Sequence, residues 1–278
     1  MADSRPLFSS NNKKQAGITE LITAASNKKV KNLVNLIQKA KARREQDVFI
    51  TEGIKMFLEA DLEKIEEVYV SESFFEKGTA REKLEQCNYE ILSDELFRKV
   101  SDTQTPQGIL CIMKQYHYRL EDLFQKENPL FLILEDIQDP GNLGTMVRTA
   151  EGAGVDGIIM TKGTVDIYNP KTIRSTMGSV YRMPFFYTED LLGIMKELQK
   201  RNVKLYAAHL KGNQFYHQMD FKQASAFLIG NEGNGLKEET AAAADVYMKI
   251  PMEGKVESLN AAVASVILMY EAARQRMC

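Results

Sequence analysis

The sequence predicts two α/β units in series, the second built on an open, doubly wound parallel sheet. Three observations carry this. Residues 27–114 alternate short helix-like and strand-like segments. A polar stretch without strand signal follows. From Leu130 onward, apolar runs too continuous for half-exposed strands recur between helical patterns, which suits strands buried on both faces. The expected division is a flexible N-terminus (1–22), a small α/β unit (23–114), a linker (115–129) and the parallel-sheet unit (130–278).

With 278 residues, 44% hydrophobic and 27% charged, the chain has material for two cores. No uninterrupted apolar run reaches the eighteen or so residues of a membrane span, so no membrane contact is expected. The polar opening, MADSRPLFSSNNKKQAG, lacks the apolar centre of a secretory signal, and a cytoplasmic protein is expected. Cys87, Cys111 and Cys278 are far apart and odd in number, which fits reduced thiols. They and the scattered His117, His209 and His217 match no ligand spacing, so no metal is expected.

In the first unit, NKKVKNLVNLIQKAKARR (27–44) holds seven Lys or Arg and no acid. Val30, Leu33, Val34, Ile37 and Ala40 fall at helical spacing, so one helix with a buried stripe and a basic remainder is expected. Two readings of that remainder stay open: a solvated face or a phosphate-binding surface. The missing acids favour the second, because solvated faces usually mix signs for i,i+4 pairing. DVFIT, EEVYV, YEIL and GILCIM then read as strands. EGIKMFLEA, AREKLEQC and SDELFRKV read as helices, the last with Ser93 as N-cap.

In the second unit, LFLILED, GIIM, MPFFY, VKLYAA, SAFLIG and VYMKI read as strands. Ligands of such sheets bind at the carboxyl ends of the strands, so the loops there matter most. After the first comes DIQDPGNLGTMVRTAEGAG (136–154), a turn through Asn142 and a helix expected from about Leu143. Leu143, Met146, Val147 and Ala150 form its buried stripe, with Gly144, Thr145 and Arg148 on another side. Arg148 lies about 9 Å along the helix from Asn142 and is expected to reach back over the bare Gly144. FLIGNEGNGL (227–236) runs a buried strand into Gly230, Gly233 and Gly235 with Glu232 between them, where backbone can approach a ligand closely. It is neither a Walker loop nor G-x-G-x-x-G.

IPMEGKVESLNAAVASVILMYEAARQ (250–275) places Ser258 and Asn260 at the start of the last helix. Ser258 suits an N-cap, and Asn260 stands beside free N–H groups. Leu259, Val263, Val266, Ile267, Tyr270 and Ala273 are its expected apolar face. In YNPKTIRSTMGSVYRMP (168–184), Pro170 opens a helix carrying Lys171 and Arg174 as exposed cations.

Taken together, DPGNLGTMVRTA, LIGNEGNGL and IPMEGKVESLNAAVA resemble the three motifs of the SpoU (TrmH) family of RNA 2′-O-methyltransferases, in the SPOUT superfamily. KTIRSTMGSVYRMP resembles the segment between them, and the likeness covers about 130–275. SNKKVKNLVNLIQKAKARREQDVFITEGIKMFLEA and SDTQTPQGIL resemble the RNA-substrate-binding domain of such enzymes, although TEGIKM departs from the commoner VEG-R wording. The resemblance implies a C-terminal α/β knot domain, a homodimer, and S-adenosylmethionine as methyl donor, with Gly230, Glu232, Ile250 and Leu259 at the donor site. It implies catalytic places for Arg148, Asn142, Ser258 and Asn260. It also implies an RNA substrate, ribosomal more than transfer RNA, and the basic segment offers Lys28, Lys29, Lys31, Lys41 and Arg44 to its phosphates.

An arginine is a poor literal base, so Arg148 is expected to hold a phosphate and stabilise the developing alkoxide. A phosphate oxygen or water would take the proton. A non-catalytic RNA-binding homologue would lack Arg148 or the glycine loop, and both are present. A nicotinamide-dependent oxidoreductase would want G-x-G-x-x-G where this chain has DPGNLG.

Overall fold

The computed structural model describes residues 20–212 and 214–277. The expectation of a flexible start lies outside these for residues 1–19, as does that of a reduced Cys278. At its other end the expectation needs correcting. Ile22 is tied down, donating its N–H to Ile91 and accepting from Ser93 N–H.

The first unit runs α1 (Lys28–Gln38), α2 (Ala40–Gln46), β1 (Val48–Glu52), α3 (Ile54–Glu59), β2 (Ile65–Ser71), α4 (Glu72–Lys77), α5 (Arg81–Leu84), β3 (Tyr89–Leu92), α6 (Asp94–Val100) and β4 (Ile109–Lys114). Its sheet has the order β1-β4-β2-β3, antiparallel except for the β2–β3 pair. Ser93 caps α6 as expected, accepting from Leu96 N–H. The basic segment is two helices rather than one. Lys39 is extended (φ −121°, ψ 114°), and the break lets Arg43 turn back under α1. Its Nη1 donates to the carbonyls of Leu36 and Ile37, oxygens left open where α1 ends. The break also shifts the buried stripe to Val30, Leu33 and Leu36, with Val34, Ile37 and Ala40 only partly covered.

The second unit follows with β5 (Leu130–Leu134), α7 (Pro140–Gly152), β6 (Gly157–Thr161), α8 (Pro170–Thr176), β7 (Phe185–Thr188), α9 (Leu191–Lys200), β8 (Lys204–Ala208), β9 (Gln214–Phe215), β10 (Ser225–Ile229), α10 (Glu238–Ala242), β11 (Val246–Lys249) and α11 (Ala261–Arg276). All pairings are parallel, in the order β7-β6-β5-β10-β8-β11-β9. Every residue of β5 and β10 is buried. This explains their unbroken apolar sequence, and each large side chain adds about 1.5–3 kcal/mol by leaving water. The chain runs outward from β5 to β6 and β7, then returns to the other side of β5, so the order reverses there. The ends of β5, β10 and β11 therefore make the place for a ligand.

The segment read as a linker is part of the core. Leu120 and Leu123 are buried, and Leu123 packs so closely on Gly157 that a Cβ there would lie 2.4 Å from Leu123 Cγ. Tyr116 N–H donates to the Tyr168 hydroxyl (2.7 Å), which donates back to the Tyr116 carbonyl (3.0 Å). Phe49 of β1 lies 4.7 Å from the Tyr168 ring. Polar composition hid this because the apolar residues are spaced singly among charges.

Candidate active site

Helix α7 starts earlier than Leu143. Asp139 is its N-cap, accepting from Asn142 N–H at 2.8 Å, and Pro140 occupies the first turn. Asn142 is thus a first-turn helical residue. The Asp139 carboxyl is held below its usual range, chiefly by that Asn142 N–H.

The glycine loop is folded on itself. Asn231 and Gly235 exchange backbone hydrogen bonds of 2.9 and 3.0 Å. Asn231 Oδ1 accepts from the N–H groups of Gly233 and Asn234, and its Nδ2 donates to Asp136 O. Below it, buried Glu135 accepts from Lys237 N–H and the Thr240 hydroxyl. Gly230 must be glycine, because a Cβ there would lie 2.1 Å from Gly235 C and Leu236 N.

The last helix is capped by Asn260 and not by Ser258. Asn260 Oδ1 accepts from Ala262 and Val263 N–H, and Ser258 stays exposed on the extended approach. The same Asn260 donates through Nδ2 to Asn142 Oδ1 at 3.1 Å. Asn142 Nδ2 then donates to Glu232 Oε1 at 3.0 Å. Glu232 also accepts from the N–H groups of Gln138 and Asp139, each at 3.0 Å. Burial pushes the Glu232 carboxyl up, but these three donors outweigh it and hold the group below the usual glutamate range. One chain of side chains thereby ties the three loops, Asn260 to Asn142 to Glu232.

Beside this chain lies a cleft of about 370 Å³. Gly230, Glu232, Ile250, Leu259 and Ser258 all line it. Ile229, Met248 and Leu268 give it an apolar floor, with folded backbone at its rim. The volume and lining are those of a site for a drug-sized ligand held by few polar groups. His209, Lys211 and Met252 also line it. Sequence reading took His209 only as a scattered histidine and passed over Lys211 and Met252, because nothing local to them shows that their loops fold to the same strand ends.

Arg148 is exposed and bonded to none of these groups. It is six residues beyond Asn142, so it points about 120° away around the helix. Nor does Gly144 clear a path for it: a Cβ at Gly144 would lie 2.3 Å from Ser175 Cβ and 2.7 Å from Thr172 O, so the missing side chain serves α7–α8 packing. The α8 cations are less free than their sequence suggests. Arg174 Nη1 donates to Asp102 at 2.7 Å, and Lys171 Nζ lies 3.6 Å from Asp139. Of the basic residues in the first helices, Lys28, Lys31 and Arg44 are exposed, and Lys41 makes a loose pair with Glu45 at 3.6 Å. Lys29 is engaged by Glu67 and Glu90.

Helix α11 carries apolar residues on every side as far as Tyr270, and the periodicity misjudged its buried face. Ala262, Ser265, Leu268, Met269, Ala272 and Ala273 are covered, whereas Val263 and Tyr270 are 47% and 50% exposed. Among the described residues no group of His, Cys, Asp and Glu is placed to hold a metal, and no helix is long and apolar enough to cross a membrane.

Comparison with known proteins adds to this geometry. The model of the SpoU rRNA Methylase family matches residues 129–270, and that of the MRM3-like substrate binding domain matches 27–111. The 23S rRNA (guanosine(2553)-2'-O)-methyltransferase RlmP of Bacillus subtilis is 34% identical over 256 residues, 90% of this chain and 97% of its own. The 23S rRNA (guanosine-2'-O-)-methyltransferase RlmB of Bordetella pertussis is 32% identical, over 77% of this chain and 91% of its own. Among solved structures, an AdoMet-bound rRNA methyltransferase from Sinorhizobium meliloti superposes with a TM-score of 0.79 at 31% identity. It covers 92% of this chain and 97% of that one.

Proposed function

The chain belongs to the SpoU rRNA methylase family, and from that membership we propose that it methylates a ribose 2′-hydroxyl of ribosomal RNA with S-adenosylmethionine as donor. The observation that carries this reading is the Asn260–Asn142–Glu232 chain standing at the cleft. It holds the loops at the ends of β5, β10 and β11 in one arrangement.

The donor supplies an activated sulfonium methyl. The protein's own work is to bind, orient and desolvate. Backbone around Gly230, Ile250 and Leu259 grips the donor, and Gly230 keeps the loop closed enough to do so. Glu232, ionised at neutral pH, is spent on Asn142 and two backbone donors, so its role is to shape the site. Asn142 and Asn260 fix the positions of the two helix starts between which the ribose is to lie. Ser258, exposed at the cleft wall without a capping duty, is free to meet the ribose or donor. Arg148 holds the adjacent phosphate and steadies the developing alkoxide, while a phosphate oxygen or water accepts the proton.

Residues 23–114 act as the substrate-binding unit, with Lys28, Lys31, Lys41 and Arg44 on RNA phosphates. Lys29 contributes mainly to the fold. Residues 130–278 carry the α/β knot. The exposed Val263 and Tyr270 of α11 suit burial against a second copy, so the active form is a homodimer. A ribosomal RNA substrate puts the activity in the cytoplasm.

The test is to incubate the protein with labelled donor and ribosomal RNA and map the 2′-O-methyl groups. One new methylated ribose is expected. A folded chain that binds neither S-adenosylmethionine nor S-adenosylhomocysteine by calorimetry overturns the reading.

A further inference from the structure

On helix α7, Arg148 has four neighbours three or four residues away: Gly144, Thr145, Glu151 and Gly152. Only Glu151 is charged, and a carboxylate at that spacing is an ordinary ion-pair partner for an arginine. Among the described residues Arg148 nonetheless makes no ion pair, and Glu151 is already occupied. Arg182 Nε donates to Glu151 Oε1 at 2.7 Å, and its Nη2 reaches Oε2 at 3.5 Å. The Ser179 hydroxyl donates to the same Oε2 at 2.7 Å. Arg182 is itself held from the first unit, its Nη1 donating to Glu59 Oε2 at 2.9 Å. Gly178, at φ +99°, makes the turn that presents Ser179 and Arg182, and a Cβ there would lie 2.3 Å from Glu59 Oε2. The pairing with Arg182 is also the main reason the Glu151 carboxyl stays below its usual range.

We propose that Arg182 is a positioning residue for methyl transfer: by occupying Glu151 it keeps the Arg148 guanidinium unpaired and available to the RNA. This rests on the role given to Arg148 above. Without Arg182, the Glu151 charge is met only by the Ser179 hydroxyl and the weaker field of Lys55, one turn from Arg148. It then competes with the substrate phosphate for that guanidinium. Glu59 connects the device to the first unit, so a correctly docked substrate-binding unit helps hold Arg182 in place.

The test is single-turnover methyl transfer at saturating RNA, with the RNA affinity measured separately and melting curves to confirm folding. Arg182→Met is expected to slow transfer about two- to fivefold, the scale of an exposed ion pair, with RNA affinity little changed. Glu151→Gln is expected to transfer at the wild-type rate. The double variant Arg182→Met with Glu151→Gln is expected to recover most of the lost rate, and Arg182→Lys to keep it. If the double variant is as slow as Arg182→Met, Arg182 is only a brace and the proposal falls. It falls equally if both variants lose RNA affinity, since Arg182 would then touch phosphate itself. Should Arg182→Met not fold, Arg182→Gln takes its place with the same expectations. Arg148→Ala separates the two levels. If that variant keeps its turnover, the role of Arg148 is wrong. If it is inactive and the double variant does not recover, only the present proposal is wrong.

Discussion

The catalytic place proposed for Arg148 can be weighed by what surrounds it. It stands off the buried stripe of α7, exposed, with its one charged helical neighbour engaged elsewhere. Removing it opens no cavity, and it touches no group of the cleft beside Asn260, Asn142 and Glu232. Arg148→Ala is therefore expected to fold normally and bind S-adenosylmethionine with nearly unchanged affinity. Transfer should slow by about a hundredfold or more, since in the proposed role the charge acts mainly in the transition state. Arg148→Lys is expected to fail too, because an ammonium does not reproduce the planar fork. Single-turnover transfer with donor calorimetry checks both, and a folded Arg148→Ala protein with wild-type turnover would remove the arginine from the mechanism. Asn260 serves at the same scale. It caps α11 and reaches Asn142 with the same amide, so the starts of α11 and α7 are joined through one residue.

At the scale of elements, α1 and α2 present a basic surface whose residues are not equivalent. Lys28 and Lys31 are exposed and unpaired among the described residues, whereas the Lys29 amine is engaged by two carboxylates. Burial lowers its tendency to stay charged, but those partners outweigh burial and raise its pKa. Each lysine that truly meets a phosphate should lower the salt slope of RNA binding by about one when neutralised. Neutralising Lys28, Lys31 and Lys41 is expected to weaken binding and flatten that slope. Neutralising Lys29 alone is expected to leave the slope unchanged. Filter binding across a salt series measures both, and an unchanged slope for the triple variant would make this surface a solvated face. The break at Lys39 belongs here as well. It turns a basic residue, Arg43, from the surface into the core.

At the scale of the molecule, the two units are packed as one body. Arg43, only 3% exposed, donates through Nη2 to Asp166 of the second unit at 2.7 Å. Arg174 meets Asp102, Arg182 meets Glu59, and the Tyr181 hydroxyl donates to the Met56 carbonyl. The Phe49–Tyr168 contact fills the space between them. Removing one partner of a buried pair leaves an uncompensated group and costs several kcal/mol. Because Asp166 is one quarter exposed, Arg43→Met is expected to cost about 2–3 kcal/mol. The wild-type chain should melt in one transition, and in Arg43→Met the first unit should loosen before the second. Calorimetric scans check this. Two separate transitions in the wild-type chain would show that the contacts do not couple the units.

Much of this protein is written in local sequence. Strands buried on both faces announce themselves because every position must be apolar, so β5 and β10 were legible at once. Ser93 as a cap, the stripe of α7 and the glycines of the 230–235 loop follow from hydrogen-bonding and backbone rules that act over a few residues. The three motifs named the family and the donor without coordinates. Tertiary structure decided what depends on distant partners. Helix α11 has apolar residues all round as far as Tyr270, so no period in its sequence selects which face is covered. Gly144 looks like room for an arginine, but the clash that demands glycine comes from Ser175 on another helix. Lys29, Arg43 and Arg174 read as surface charge until Glu67, Asp166 and Asp102 arrive from far along the chain. The join of Asn260 to Asn142 to Glu232 is the clearest case. Each residue sits in its own loop for local reasons, and only the folding of three loops to one end of the sheet makes them a site.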